Sequence, residues 1–491
     1  MGEAAIYERQ ARMNGRSSTV CLFMLVACVS LVASSCSANP SERSTTLIDS
    51  TAVPVPAEVV PPTPTAEVST PEPQIAPTAT AAPVPATPEP APPEPGPTVV
   101  PFAPGAAALL SGNVLPPGSR IGLIANHAST VDGQSAIDLL AAHPTLELAA
   151  IFAPEHGPRG DLDAGVTVPG GLDAATGVTV HSLYGAVRSP TPAMLADLDA
   201  LVYDLQGVGA RHYTYISTMG LAMQAAAEAG LPFVVLDRPN PLGTVAASGH
   251  VLDAQFESFI GPYPIPQVHG LTAAELANAI VDEAWLPGLD DLTLILVPMQ
   301  GWTHGRHWNE LDAAWVPPSP GLPTAEAATV YPGTVFFEAT TLSYGRGTEH
   351  VFRQIGAPWI DAGALAASLN GLDLPGVEFE AVSFTPRLGT LTVTPAYVDT
   401  EVQGVRWSIT DVAVFEPIVA GAAALQHVLA QGSDAGVTVI DRPDFLDLLA
   451  GTDAFRQGLE AGDSAEVLAA AWRDEAAAFD RSMRRYRLYP D

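Results

Sequence analysis

The segment at 151–160, IFAPEHGPRG, places three ionisable side chains directly behind an apolar run. Glu155 and His156 follow Pro154, and Arg159 comes three residues later. A carboxyl group and an imidazole at the end of a buried strand are groups that general acid–base catalysis uses. Glu155 taken alone also fits a helix cap or a surface charge, so its meaning depends on what other segments bring to the same place.

Other apolar, strand-like runs of this sequence end in polar residues in the same manner. In an open parallel sheet the carboxyl ends of the strands share one edge, and ligands bind there. The pattern therefore predicts one shared site, although structural ion pairs of Asp204 with Arg211 and of Asp237 with Arg238 would also explain it. The polar residues behind these runs are Asn126, Asp204, Arg211, Tyr213, Asp237, Arg238 and Asn240.

The spacing of the sequence disfavours three familiar classes of site. The stretch QGVGARHYTY at 206–215 has two glycines of a dinucleotide-binding turn, but it lacks the third glycine and the acidic residue that should follow. The histidines show no HExxH or related spacing, which disfavours a metal site. The sequence has no GxSxG stretch, which disfavours a serine hydrolase.

Apolar, β-rich runs alternate with helical patterns between residues 105 and 325. Strands that are apolar throughout and are separated by helices indicate a parallel sheet covered on both faces. One helix, at 272–285, begins with Thr272 and Glu275 at the spacing of a capping box. The predicted fold class is therefore α/β, with a Rossmann-like, doubly wound, mostly parallel sheet at 105–325.

The rest of the chain is predicted to form a second, smaller α+β domain at 326–491. The loop-rich stretch at 316–333 is a plausible hinge in front of it. Within this domain FEAVSF, TLTVTPAYV and GVRWSIT are predicted strands, and several helices follow them. A chain of 491 residues is long enough for two domains of this kind.

The N-terminus is typical of an exported protein. Three arginines precede the apolar run at 20–36, which ends in Ser-Ser-Cys. This is the shape of a lipoprotein signal at 1–36 with Cys36 as the lipidated residue, and a single membrane anchor or ordinary secretion is the alternative. Residues 37–104 are rich in Pro, Thr and Ala and predict a disordered linker. All three cysteines precede that linker, so the exported part has no disulfide.

The net charge narrows the choice of partners. The chain carries a formal charge of −32, and all 21 of its basic residues are arginine. Without a basic cluster, nucleic acid and anionic membrane surfaces are poor partners. The protein is therefore expected to contact a membrane only through its N-terminal lipid or anchor, and to lie on the outer side of that membrane in the cell envelope.

Eight stretches of the chain, in order from about residue 115 to the C-terminus, resemble the exo-acting β-N-acetylmuramidases, a family of bacterial glycoside hydrolases that process peptidoglycan. They are FAPEHGPRG, SLYG, YDLQGVGARHYTYISTM, LDRPNPLG, IPQVHGLTAAELA, WVPPSP, YPGTVFFEAT and SYGRGTEHVFRQIGAPWID. The resemblance implies a Rossmann-like domain, a smaller C-terminal domain, and a cleft in which Glu155 is a catalytic carboxylate. No cofactor is expected.

Two positions depart from the family pattern and affect the expected specificity. Where the family commonly has Gln-Asp-Val-Gly, this chain has Gly207 in place of the acid. After GRGT the family tends to have Pro-Phe-Glu, and this chain has Val351, Phe352 and Arg353. The loss of an acid and the gain of an arginine are expected to bear on which sugar or peptide is accepted.

Cleavage of a glycosidic bond needs an acid for the leaving oxygen, and a nucleophile or a base for water. The resemblance makes Glu155 the general acid, with His156 beside it. The second group stays open between Asp204, Asp237 and Glu338, and the 2-acetamido group of the substrate itself is a further alternative.

The expected substrates are muropeptides or disaccharides derived from peptidoglycan. A guanidinium can bind the lactyl carboxylate of N-acetylmuramic acid with two hydrogen bonds. The implied activity is an exo-β-N-acetylmuramidase that releases this sugar from non-reducing ends, and the alternative is a cell-wall lipoprotein that binds muropeptides without turnover. Candidates for the carboxylate contact are Arg159, Arg211, Arg238 and Arg346, and candidates for packing on the sugar ring are Tyr184, Tyr213 and Trp302.

Overall fold

The computed structural model describes residues 45–47, 100–163, 165–243 and 245–491. The predicted signal segment at 1–36, its lipidation site Cys36, and the predicted linker up to residue 99 apart from 45–47 lie outside the described residues. Among the helices that the structure does describe, none combines the length and the apolar character that a membrane crossing requires.

A mostly parallel sheet organises the first domain. Its strands are β1 (Thr45–Leu47), β2 (Arg120–Ala125), β5 (Glu147–Ala153), β6 (Gly171–Leu172), β7 (Thr179–Ser182), β8 (Ala200–Asp204), β9 (Phe233–Leu236) and β10 (Leu294–Val297), with β3 (Thr130–Val131) and β4 (Gln134–Ser135) in a separate hairpin. The order is β1-β10-β9-β8-β2-β5-β7-β6, and every neighbouring pair is parallel except β6 with β7. The carboxyl ends of β2, β5, β8 and β9 therefore lie along one edge.

Helices cover both faces of this sheet. They are α1 (Gly105–Leu110), α2 (Ala136–Ala141), α3 (Pro192–Leu195), α4 (Tyr215–Ala229) and α5 (Ala273–Asp282). One face buries Leu109 of α1 and Ile137 of α2 in a core with the sheet. The other face buries Met219 of α4 and Ile280 of α5. The doubly wound α/β fold is thus confirmed, and strands buried on both sides explain why their sequences are apolar throughout.

The helix ends follow local chemistry. The side chain of Thr272 accepts a hydrogen bond from the backbone N–H of Glu275, and the Glu275 carboxylate accepts one from the Thr272 backbone, so the predicted capping box is confirmed. Helix α4 ends at Gly230, whose φ of 66° lies in the left-handed region that glycine adopts without steric cost. Gly230 therefore ends α4 just before β9, whose carboxyl end lies at the shared edge.

The second domain is a smaller α+β unit, as predicted. Its elements are α6 (Ala325–Thr334), β11 (Gln354–Ala357), α7 (Ala362–Asn370), β12 (Val377–Phe384), β13 (Val402–Ile409), α8 (Pro417–Ala435), α9 (Pro443–Ala450), α10 (Ala454–Ala461) and α11 (Ala465–Met483). Short 3₁₀ helices occupy Ala254–Phe256, Trp308–Glu310, Val335–Ala339 and Arg484–Tyr486. The three strands form an antiparallel sheet in the order β11-β13-β12. Trp407 of β13 is fully buried in the core between this sheet and its helices.

One strand prediction in this domain was wrong. The stretch TLTVTPAYV at 390–398 is not a strand but part of the long connection from β12 to β13. Its backbone N–H groups at Thr392 and Val393 donate to the carboxylate of Asp163 in the first domain instead of to a neighbouring strand. Pro395 and the positive φ of Tyr397, 57°, also oppose an extended conformation. A side chain from outside the segment therefore overrode its β-propensity.

Candidate active site

A cavity of about 420 Å³ lies where the carboxyl edge of the large sheet faces the second domain. Its volume falls in the range of small-molecule sites, about 300–1,000 Å³. The first domain contributes the turn after β5 and the segment at 212–215, and the connection at 319–322 contributes one rim. The second domain contributes residues from α6, from the 3₁₀ helix at 335–339, and from the loops at 346–352 and 387–391.

Glu155 lies in this cavity directly beyond β5. Its side chain is held by two donors: the backbone N–H of Gly165 lies 2.9 Å from Oε1, and the Thr214 hydroxyl lies 3.1 Å from Oε2. The residue is only 7 % exposed, so the carboxyl group faces the cavity from a largely dry wall. The donors come from two different segments that meet at the sheet edge.

The turn behind β5 is conformationally strained at His156. Its φ is 72°, and that of Gly157 is 77°. Glycine adopts this left-handed region freely, whereas a histidine there costs on the order of 1 kcal/mol. The turn brings His156 into the cavity wall, where Nδ1 lies 3.1 Å from the carbonyl oxygen of Leu162. Strain of this kind persists where surrounding contacts impose the conformation, as is common at functional sites.

A second carboxyl group enters from the other domain. Glu338, on the 3₁₀ helix Val335–Ala339, lines the cavity together with Glu155. Burial raises the pKa of the Glu338 carboxyl, the nearby Glu155 raises it further, and the guanidinium groups of Arg346 and Arg442 oppose this effect. Arg346 also lines the cavity, and its Nη2 donates to Asp163 Oδ1 at 2.7 Å.

Aromatic rings form much of the remaining wall. The rings of Tyr213 and Tyr215 meet edge to face at 4.8 Å, and those of Tyr331 and Phe352 do so at 4.9 Å. His212 stacks on Tyr331 at 5.0 Å. Burial, with smaller effects from Arg211 and His269, lowers the pKa of His212 to about 3, so this ring is neutral. Apolar ring faces of this kind suit a sugar better than a charged group.

Asp204 and Arg238, both predicted at the site, neutralise each other outside the cavity lining. Arg238 Nε lies 2.6 Å from Asp204 Oδ1, and Nη2 lies 2.9 Å from Oδ2, in a buried two-pronged pair. The guanidinium also donates to the carbonyl oxygen of Thr130. In a buried pair of this geometry, the two charges compensate each other, and neither is left to bind a ligand. Asp204 and Arg238 therefore connect β8, β9 and the hairpin that follows β2.

Arg211 is a fully buried link between the domains. Its guanidinium donates to the carbonyl oxygens of His250 and Ile265, and to that of Leu449 at the end of α9. Burial lowers the pKa of Arg211 to about 9. It does not line the cavity. Its Nη1 and Nη2 groups donate to these backbone carbonyls, and its structural effect is to hold α9 against the first domain.

The other predicted residues outside the cavity lining hold the surrounding loops. Asn126 donates to the Tyr215 hydroxyl at 2.7 Å, which in turn donates to the carbonyl of Pro318 at 2.8 Å, so Asn126 supports the wall from behind. Asn240 accepts a hydrogen bond from the backbone N–H of Leu242 within its own turn and donates one to the carbonyl oxygen of Leu271. The cavity lining also excludes Asp237, Tyr184, Trp302 and Arg159.

Two of these residues have identifiable structural partners. Arg159 forms two hydrogen bonds with each of Asp138 and Asp173, so all three of its guanidinium nitrogens donate to a carboxylate. Asp237 accepts hydrogen bonds from the backbone N–H of Ala274 at 3.0 Å and from the Tyr489 hydroxyl at 2.6 Å. Burial, with Glu275 nearby, raises the pKa of Asp237 to about 7. Neither residue faces the cavity.

Of the departures from the family pattern, Gly207 and Arg353 lie off the cavity lining. Gly207 adjoins a small void of about 20 Å³ beside Arg238, and a Cβ added there would meet no atom within 4 Å. Arg353 pairs with Glu326 at the start of α6. Val351 and Phe352 do line the cavity. The acid lost at 207 and the arginine gained at 353 are therefore not placed to contact a ligand in it.

Several lining residues escaped the sequence analysis. Thr214 lies between Tyr213 and Tyr215 in the QGVGARHYTY stretch, and this position is the one feature of the sequence that indicates it. Asp163, His212, Tyr331 and Arg387 carried no local signal, because the surface they form exists only when both domains meet. Among the described residues, no group of three or more His, Cys, Asp or Glu is arranged to hold a metal ion.

The fold and the cavity together define a class of protein. It is a two-domain α/β protein in which Glu155 of the first domain and Glu338 of the second line a cavity with aromatic walls. Paired carboxyl groups around a sugar-sized space are the machinery of glycoside hydrolases.

Residues 121–326 match the family model for the N-terminal part of the exo-β-N-acetylmuramidase NamZ, and residues 329–489 match that for its C-terminal part. The chain belongs to this family, and it is therefore an enzyme, a glycoside hydrolase. A peptidoglycan β-N-acetylmuramidase NamZ from Bacillus subtilis (strain 168) is 39% identical over 383 residues, which cover 76% of this chain and 87% of that relative.

Two crystal structures of DUF1343 family proteins from Bacteroides fragilis NCTC 9343 share the fold. One is 34% identical with a TM-score of 0.72, and the other is 30% identical with a TM-score of 0.65. Each match covers 79% of this chain and 99% of the other protein. The similarity thus extends over both domains.

Proposed function

We propose that this enzyme releases N-acetylmuramic acid from the non-reducing ends of peptidoglycan fragments, with Glu155 as the general acid. One observation carries the proposal: the Glu155 carboxyl lines the cavity and is held by donors on both of its oxygens. The family supports the substrate class, since the Bacillus subtilis relative is a peptidoglycan β-N-acetylmuramidase. Two cavity carboxyl groups favour turnover over binding alone.

The two oxygens of Glu155 differ in what they can do. The Gly165 backbone N–H can only donate, so Oε1 must accept. The Thr214 hydroxyl beside Oε2 can rotate, and it either donates or accepts. The proton of the neutral acid therefore resides on Oε2, from which it passes to the glycosidic oxygen as the bond to the sugar breaks.

Glu338 is the candidate for the second carboxyl group. Of the three residues considered for that role, it lines the cavity, whereas Asp204 and Asp237 are committed to Arg238 and Tyr489. Because burial raises the pKa of Glu338, its neutral form persists to higher pH than that of an ordinary glutamate. A neutral Glu338 donates a hydrogen bond to the sugar, and the 2-acetamido group then supplies the internal nucleophile.

Arg346 is the arginine that we assign to the lactyl carboxylate. Of the four arginines considered for this contact, it is the one whose side chain lines the cavity. Its ion pair with Asp163 fixes one edge of the planar guanidinium. A guanidinium oriented in this way binds a carboxylate with little further loss of side-chain entropy.

The test compares Glu155→Gln with the parent enzyme on two substrates. One is a disaccharide with N-acetylmuramic acid at its non-reducing end, and the other is a dinitrophenyl N-acetylmuramide. A sugar alkoxide is a poor leaving group and needs a proton, whereas dinitrophenolate leaves without one. We expect kcat/KM to fall by at least about 10³-fold on the disaccharide, and by much less on the aryl substrate.

Glu155→Gln is nearly isosteric, so its unfolding temperature should match that of the parent enzyme and serves as the folding control. Full turnover of the disaccharide by this variant would remove Glu155 from the mechanism. Release of a product other than N-acetylmuramic acid would instead refute the proposed specificity.

We also propose that the protein is exported and held at the outer side of a membrane through a lipid on Cys36. The proposal rests on the basic segment, the apolar run and the Ser-Ser-Cys sequence at its end. Labelling of cells with a radioactive fatty acid should mark the parent protein and leave a Cys36→Ser variant unlabelled. Equal labelling of both would refute the lipid anchor.

A further inference from the structure

The connection between β12 and β13 is much longer than its strands require. The two strands are antiparallel neighbours, which two residues suffice to join, yet residues 385–401 separate them. Long connections inside compact domains commonly carry function. Here the part at 387–391 forms a wall of the cavity. The connection thus reaches from the second domain over the candidate active site.

A side chain of the first domain holds this connection in place. Asp163 Oδ2 accepts hydrogen bonds from the backbone N–H of Thr392 at 2.9 Å, from its hydroxyl at 3.2 Å, and from the backbone N–H of Val393 at 3.3 Å. Asp163 Oδ1 accepts from Arg346 Nη2 at 2.7 Å. The Asp163 side chain is 8 % exposed, so its carboxylate is largely buried, whereas Thr392 on the connection is exposed.

The same loop of the first domain also holds the proposed acid. Gly165 lies two residues after Asp163, and its backbone N–H donates to Glu155 Oε1. One end of this short stretch is therefore tied to the second domain, and the other end is tied to the carboxyl group of Glu155. Because Asp163 and Gly165 are only two positions apart in the chain, we expect a displacement of Asp163 to move Gly165 as well.

We infer that Asp163 is a positioning residue, which couples closure of the 385–401 connection over the cavity to the orientation of the Glu155 carboxyl group. The inference rests on the proposed role of Glu155 as general acid. When Asp163 holds Thr392 and Val393, the Gly165 N–H occupies Oε1, and the proton on Oε2 faces the glycosidic oxygen. Without Asp163, the acid remains present but is poorly aligned.

This inference predicts a defect that depends on the leaving group. A misaligned acid slows the departure of a sugar alkoxide, which needs the proton, but not that of dinitrophenolate. A misplacement of about 1 Å costs on the order of 10²-fold in rate. We expect Asp163→Ala to lower kcat on the disaccharide by about that factor, and to change kcat less than about fivefold on the dinitrophenyl N-acetylmuramide. KM should rise on both substrates, because Arg346 loses the ion pair that orients it for the lactyl carboxylate.

Two further variants sharpen the experiment. Asp163→Asn keeps an oxygen that accepts from the Thr392 and Val393 backbone but loses the charge opposite Arg346, and it should show a smaller loss of the same kind. Asp399→Asn is the matched control, because Asp399 forms an exposed ion pair with Arg387 in the same connection, with side chains 69% and 65% exposed. It should match the parent on both substrates.

The outcomes separate the two proposals. The positioning role is overturned if Asp163→Ala and Asp163→Asn lower kcat equally on both substrates, or do not lower it at all. In that case the role of Glu155 still holds, provided that Glu155→Gln is inactive on the disaccharide. If Glu155→Gln retains full turnover, both fall together. Assays run below the unfolding temperature of every variant, so that a loss of folded protein is not counted as a catalytic defect.

Discussion

At the scale of single residues, Glu155 and Glu338 differ in what surrounds their carboxyl groups. Glu155 accepts from a backbone N–H and faces a hydroxyl. Burial has the largest effect on the pKa of Glu338 and raises it, despite two nearby guanidinium groups. Two carboxyl groups in unlike environments can serve unlike roles in one reaction. We propose that Glu155 transfers the proton and that Glu338 forms a hydrogen bond to the sugar.

A pair of substitutions at Glu338 tests this assignment. Glu338→Gln keeps a neutral donor of the same shape, so we expect kcat/KM on the disaccharide to stay within about tenfold of the parent. Glu338→Ala removes the donor and should cost about 10²-fold or more. A loss of 10³-fold or more in Glu338→Gln, on the order of that for removal of a catalytic carboxylate, would show that the ionised form is needed.

At the scale of elements, two helices of the second domain approach each other through glycines. A Cβ on Gly333 of α6 would lie 1.8 Å from the carbonyl oxygen of Pro417, and one on Gly421 of α8 would lie 2.1 Å from that of Gly333. Helix α6 leads directly into the 3₁₀ helix that carries Glu338. The close crossing therefore sets the position of a cavity carboxyl group, and it explains the Pro-Gly within α6.

Substitution at this crossing should be costly. We expect Gly421→Ala to lower the free energy of unfolding by about 3 kcal/mol, because the three nearest atoms that the new methyl group would meet are all backbone atoms of Gly333. The matched control is Gly363→Ala in exposed α7, where the nearest atom is a side-chain oxygen at 3.5 Å. That change should raise stability by about 0.5–1 kcal/mol. Urea unfolding measures both, and equal values for the two variants would contradict the steric account.

At the scale of the whole molecule, the C-terminal residues return to the first domain. The Tyr489 hydroxyl donates to Asp237 at the end of β9, and the backbone N–H of Leu488 donates to Glu275 at 2.8 Å. The backbone N–H of His304 donates to the carbonyl of Pro490 at 2.9 Å. Together with Arg211, these contacts join the two domains.

This junction should make stability depend on pH. Burial raises the pKa of Asp237 to about 7. The ordinary pKa of an aspartate is about 4, so between these two values the folded state retains a proton that the unfolded chain releases. The contribution of Asp237 to stability therefore decreases as pH rises from about 4 to about 7, by up to about 4 kcal/mol. Asp237→Asn cannot ionise and should lack this dependence.

The measurement is the difference in free energy of unfolding between the parent and Asp237→Asn, obtained from urea titrations at pH 5 and pH 8. We expect the parent to lose stability relative to the variant at the higher pH. Taking the difference cancels the other titrating groups that both proteins share. An unchanged difference across this window would contradict the raised pKa.

The sequence by itself determined the alternating strands and helices, the capping box at Thr272, and the carboxyl group at the end of β5. These features follow from local causes: apolar runs fit a sheet buried on both sides, and a polar residue ends such a run. The ordered motifs were also sufficient to indicate the family. The segment at 390–398 shows the limit of prediction from local sequence. It has β-propensity, but its backbone binds Asp163, which lies more than two hundred residues earlier in the chain.

Only the tertiary structure decided which strand-end residues face the cavity. Glu155, His156 and Tyr213 line the cavity. Asp204 and Arg238 instead pair with each other, and Arg211 donates to backbone carbonyl oxygens. In the sequence, these charged and polar residues all follow strands in the same way, so their types do not tell them apart. A buried charge needs a partner, and the position of that partner depends on long-range packing. The second wall, with Glu338, exists only because another domain folds against the sheet edge.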